Sequence, residues 1–280
     1  MASNRHILFF AAALAALLGA SDARADFKTG EAAYKAGNYS DAYLQLLPAA
    51  RGGNAQAQFL LGQLSDNGLG TVALDPREAA RWYRMAADQN HGEAQFVLAR
   101  AHAFGRGVKQ DKDLALNWLK KAAENNFEQA MLDLARLHDE GRVVEKDPVR
   151  AAQLIERAAS LGNPDAEYAF AERLASGNGV ARDQKHAWEW FKRAADNGQP
   201  AALYRIGQII FKRDRSIEDN ITAYAWLTLA AKLGSDEVKK DAARDRDLLA
   251  KDMTPGDIAA AMARVRDWKP KPRAVAAQGS

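Results

Sequence analysis

The chain has 280 residues, 48% of them hydrophobic and 27% charged, a balance that excludes a wholly disordered or collagen-like polymer and leaves material for a packed core. Its formal charge of +3 is the small surplus of 39 basic over 36 acidic side chains, which gives no reason to expect a nucleic acid as partner. The sequence contains no cysteine, so disulfides, thiolate metal sites and a lipidated N-terminal cysteine are excluded.

Residues 1–25 have the three parts of a secretory signal: Arg5 and His6, an apolar run from Ile7 to Ala20, and the small-x-small site Ala23-Arg24-Ala25. The run would be about 21 Å long as a helix, shorter than the roughly 30 Å of hydrocarbon that a stable span must cross. Cleavage after Ala25 is expected, leaving an exported, periplasmic or secreted bacterial chain with no membrane span and a charge of about +2 once Arg5, Asp22 and Arg24 are lost.

From there the chain is periodic. Asp75, Asp111, Asp147, Asp183 and Asp219 are spaced by 36 residues, as are Ala79, Ala115, Ala151, Ala187 and Ala223. Seven residues after each Asp stands Trp82, Trp118, Leu154, Trp190 or Trp226, followed by paired alanines at 86/87, 122/123, 158/159, 194/195 and 230/231. These offsets describe one stripe of an α-helix, helix B, with Asp as its N-cap and Pro76 or Pro148 in its first turn. Its end is expected at a left-handed residue: Asn90, Asn126, Gly162, Gly198 or Gly234. A second periodic stretch, helix A, precedes it in every unit, as in Ala94, Leu98 and Ala99. Gly68-Leu69-Gly70, Gly105-Arg106-Gly107 and Gly177-Asn178-Gly179 join the two helices through positive-φ turns. A lone hairpin cannot bury its apolar stripe, so the hairpins must stack, with the Trp column wedged between units. Five units fill 54–234, preceded by a degenerate capping unit over 26–53 with a shortened loop. They are followed by two capping helices over 235–268 and a frayed basic tail over 269–280.

The pattern Ala166, Phe170-Ala171, Gly177-Asn178-Gly179-Val180, Asp183, Ala187, Trp190 and Ala194-Ala195 resembles the Sel-one-like repeat, a relative of the tetratricopeptide repeat. The third unit departs from it in Leu154 and in lacking a second loop glycine, and the fifth in Lys212-Arg213-Asp214-Arg215. The resemblance implies an all-α, right-handed α-α superhelix, a solenoid whose members commonly assemble protein complexes. Cysteine-rich secreted relatives are associated with β-lactam-like or peptidoglycan-derived molecules, and this chain lacks their disulfides.

No catalytic residues, metal or cofactor can be assigned. A Cys nucleophile, a Gly-x-Ser-x-Gly elbow, a zinc helix, a phosphate loop and a calcium loop are all missing. His102 and His138 share a column of helix A that is Tyr in the resembling family, and packed helices about 8–10 Å apart do not bring two imidazoles onto one ion. They read as satisfied, partly buried side chains. What varies between units is the surface of helix A, which the stacking places on the concave face. One column reads Gln63, Arg100, Arg136, Glu172 and Gln208; another includes Asp133 and Arg205, with Leu60 at its start, both off the core stripe. Arg100 and Arg136 are the strongest candidates for contact with a protein or peptide, since guanidinium binds carboxylate with two parallel hydrogen bonds. The expected function is a non-catalytic adaptor of the cell envelope; an enzyme or binder acting on cell-wall glycans, peptidoglycan fragments or β-lactam-like molecules is the alternative.

Overall fold

The computed structural model describes residues 27–212 and 216–271; the expected secretory signal, the centre of the fifth loop and the tail beyond Lys271 lie outside them. The described residues are helical with no strand. Helix α1 covers 27–35, and α2 (Tyr39–Arg51) completes the opening hairpin. Next come α3 (Ala55–Asn67), α4 (Pro76–Ala87), α5 (Gly92–Phe104), α6 (Lys112–Glu124) and α7 (Glu128–Glu140). The series continues with α8 (Pro148–Ser160), α9 (Pro164–Ser176), α10 (Gln184–Asp196), α11 (Pro200–Phe211) and α12 (Ile217–Leu233), and closes with α13 (Asp236–Ala250) and α14 (Pro255–Asp267). The contacts divide into two compact units, up to Ala130 and from Met131. In the first, α2 to α6 pack each on its neighbour; in the second, α8 to α13 do the same and α14 lies on α12.

The period is written in the caps. Asp75, Asp111, Asp147 and Asp183 each accept a backbone N–H of the first turn of α4, α6, α8 and α10. Two such bonds, from Glu78 and Arg77, hold the Asp75 carboxyl below the usual carboxylate range. Asp219 is different from what its spacing predicts: it is the third residue of α12, not its cap. Ser216 begins that helix earlier, because its hydroxyl accepts the Asp219 N–H while the Asp219 carboxylate accepts the Ser216 N–H, a reciprocal box that satisfies two end groups at once. At the other ends, Asn90, Asn126, Gly162 and Gly198 adopt the left-handed conformation. Gly234 does not; it is extended, φ −75°, and leads directly into Ser235 ahead of α13.

The two loop glycines have separate duties. Gly105 and Gly177 are left-handed caps of α5 and α9. The second glycine is fitted against the preceding hairpin: a Cβ on Gly107 would lie 1.9 Å from the Pro76 carbonyl oxygen, and one on Gly179 2.0 Å from that of Pro148. Close approach of backbones therefore requires glycine twice over, for its positive φ and for its missing side chain.

The Trp column is less deep than the spacing predicts. Trp118 and Leu154 are buried, but Trp82, Trp190 and Trp226 are half-buried against the core. In four of the five repeats the next residue carries the centre of the face: Tyr83, Ile155, Phe191 and Leu227 are all buried, whereas Leu119 beside the buried Trp118 is half-buried. At about 100° per residue, this position falls between the paired alanines, whereas the Trp position is about 90° off that line. The half-buried indoles form the flank, where Arg193 lies 4.8 Å from the Trp190 ring centre; the buried Trp118 also has a cation on its ring, Lys121 at 4.4 Å. Leu60 is likewise a correction, since it is buried in the core and not off it.

A buried amide that no motif announced ties neighbouring hairpins. Gln58 donates to the Ala50 carbonyl at 2.9 Å and accepts from Gln89 at 2.8 Å; Gln95 donates to Ala87 at 3.0 Å and accepts from Asn125 at 2.8 Å. In the fourth repeat Glu167 takes the column, accepting from Asn197 at 2.7 Å and pairing with Arg193 at 2.5 Å, while Arg193 reaches the Ala159 carbonyl. One side chain thus holds the last turn of the preceding helix B and the end of its own hairpin.

Two measurements check this account. Gly107→Ala and Gly179→Ala are each expected to lower the unfolding free energy by about 2 kcal/mol or more in urea, because both space and φ forbid a side chain. His91 caps α5 by accepting the Ala94 N–H on Nδ1 at 3.2 Å, donates from Nε2 to Gln56 at 2.7 Å, and stacks on Phe59 with ring centres 4.9 Å apart. Burial holds its pKa below the usual value, so the unfolded chain takes the proton more readily and stability falls as pH drops through about 6.5. His91→Asn, which keeps a cap of the kind seen at Asn54 and Asn163, is expected to remove that component from thermal melts between pH 7 and pH 5.

Candidate functional site

The variable residues of helix A fall into two groups, one in each unit. In the first, Gln63 and Arg100 line one groove of about 440 Å³. Its walls are α3 and α5, and its floor is the Pro76, Ala80 and Tyr83 stripe of α4. Gln63 accepts from the Tyr34 hydroxyl at 2.9 Å. Arg106, on the loop after α5, pairs with Asp66 at 3.1 Å and donates to the Asp66 carbonyl at 2.9 Å, clasping two successive repeats. Burial and the neighbouring Asp66 push the Tyr83 phenol well above its usual range, so it stays a neutral donor.

In the second unit Arg136 and Glu172 share a groove of about 440 Å³, and Glu172, Arg205 and Gln208 share another of about 230 Å³; Tyr168 lines both. Here the cations are spoken for. Arg136 pairs with Glu140 of its own helix at 3.0 Å, Arg173 is buried against Asp139, and Glu172 faces Arg205 at 3.5 Å. Gln208 donates to the Tyr204 hydroxyl at 2.6 Å, which donates to the buried Asp245 at 2.9 Å. Desolvation first and that carboxylate second push the Tyr204 phenol up to about 12. Asp133 is half-buried on α7 and lines neither groove.

The histidine column is structural. The Nδ1 atoms of His102 and His138 lie 3.3 Å and 3.1 Å from the carbonyls of Lys109 and Glu145, seven residues on, and their own carbonyls accept the N–H of Asp111 and Asp147. Each holds the loop that returns the chain into helix B. Among the described residues no group of three or more His, Asp or Glu side chains is placed to hold a metal, and no helix is long and apolar enough to cross a membrane.

The Sel1 repeat model matches five successive segments, residues 55–91, 92–127, 128–163, 164–199 and 200–235. A Sel1 repeat protein of Oxalobacter formigenes has a solved structure 30% identical in sequence, with 76% of this chain and 88% of that one aligned at a TM-score of 0.66. A putative Sel1 repeat protein of Klebsiella pneumoniae is 23% identical over 68% of this chain and 94% of its own, TM-score 0.43. A protective antigen of uropathogenic Escherichia coli strains is 22% identical over 87% and 68%, TM-score 0.41. No curated protein is significantly similar to the chain.

The half-exposed Glu172 and Arg205 are expected to be weakly coupled: a double-mutant cycle with alanine at both positions, read by urea unfolding, gives about 1 kcal/mol or less.

Proposed function

The chain belongs to the Sel1 repeat family, and on that premise we propose that it is an exported adaptor that holds a protein or peptide on the variable face of its A helices. Proteins built from these repeats mediate protein–protein interaction. The observation that carries the reading here is the contrast between invariant and variable columns. Caps, alanines and loop glycines repeat for packing reasons, whereas Gln63, Arg100, Arg136, Glu172 and Gln208 differ at one structural position and stand in open grooves. Such surfaces offer area and a few polar anchors, as a protein partner requires. Export rests on the sequence of residues 1–25, which supports action in the periplasm or outside the cell.

Cross-linking in the native cell envelope followed by mass spectrometry tests the proposal. A defined protein is expected to be captured by the processed chain, with capture reduced at least about tenfold in the Arg100→Ala, Arg136→Ala double variant. Undiminished capture by that variant, with its melting temperature unchanged, would remove the A-helix face as the contact surface.

A further inference from the structure

We infer that the groove of the first unit receives a short acidic segment of the partner, an Asp or Glu side chain beside an apolar one; this rests on the adaptor reading and says which groove carries it. Arg100 and Arg136 are equivalent in the sequence and different in the structure. Arg136 is paired with Glu140 on its own helix, Arg173 with Asp139, and Glu172 with Arg205 of the adjoining groove. Arg100 is exposed and has no ion-pair partner among the described residues. The second cation of its groove, Arg106, is fixed by Asp66. One groove therefore has a spare guanidinium and the other has none, and a carboxylate is the charge that complements it through two parallel hydrogen bonds.

The apolar half of the ligand follows from what stands beside Arg100. On α5, Val97, Arg100 and Phe104 are three and four residues apart, so they form one stripe facing the groove. The Phe104 ring is 76% exposed, the most exposed large hydrophobic side chain of the described residues, and Ala80 and Tyr83 lie in the same groove. An exposed aromatic beside a free cation supplies the two residue types that interface anchors favour. A single spare guanidinium does not track a phosphate backbone, which would need a row of them.

Phage-displayed random dodecapeptides selected on the purified chain, followed by fluorescence anisotropy of the winners, test this. Enriched peptides are expected to place Asp or Glu within two residues of Leu, Ile or Phe. Arg100→Glu should raise Kd at least about tenfold, equivalent to about 1.4 kcal/mol. Phe104→Ala should raise it several-fold, and Arg136→Glu should leave it unchanged, all three variants melting as the parent does. Peptides without acidic residues, or binding indifferent to Arg100→Glu, overturn the inference and leave the adaptor reading in place. A failure to enrich any peptide while cross-linking still captures a protein overturns it as well; failure of both experiments removes the two readings together.

Discussion

Everything in this molecule depends on helices approaching closely at columns of small residues. The paired alanines of the first four B helices are almost wholly buried, as is Ala230 of the fifth, and so are Ala94, Ala130, Ala166 and Ala202 of the facing A helices. At two places alanine is already too large: a Cβ on Gly62 would meet the Tyr83 ring at 2.5 Å, and one on Gly207 the Leu227 side chain at 2.9 Å. Interiors packed at crystal density have no room to absorb an added methyl group without shifting a backbone. The large side chains then fill whatever space the small ones leave.

Close approach brings polar backbone ends near one another in places that water does not reach, and the chain satisfies them locally. Gln58 and Gln95 serve this purpose directly, and in the fourth repeat Glu167 and Arg193 divide the same task between an acceptor and a donor. Met131 and Leu203 occupy the column in the remaining repeats, so the bond is optional where the apolar contact suffices. The segment after α14 packs back on the second unit. Trp268 and Pro270 lie against Gly198, and Lys271 bonds Asp196 through both its backbone N–H and its ammonium, at 2.9 Å and 2.7 Å. The start of the tail read as frayed is therefore held down.

With caps, alanines and glycines committed to packing, the outer positions of helix A are free to differ from repeat to repeat. Freedom at those positions does not mean equivalence. Arg136 has an acid one turn away on its own helix, and Arg100 has Phe104 there instead, so one guanidinium is silenced and the other stays available.

Much of this was legible in the residues alone. A 36-residue recurrence of Asp, alanine pairs and Gly-x-Gly dictates stacked helical hairpins, because capping, close packing and positive φ are local demands that particular residue types meet. The histidine column was also legible as satisfied side chains, His102 and His138 each bonding the loop that follows. Three things were decided only in three dimensions. The indoles at Trp82, Trp190 and Trp226 sit on the flank of their face because the paired alanines, not the largest side chain, set its centre. Helix α12 starts early because Ser216 competes with Asp219 for the cap. The unlike fates of Arg100 and Arg136 depend on which side chains lie within reach, and reach is a property of packed helices that no spacing along the chain specifies.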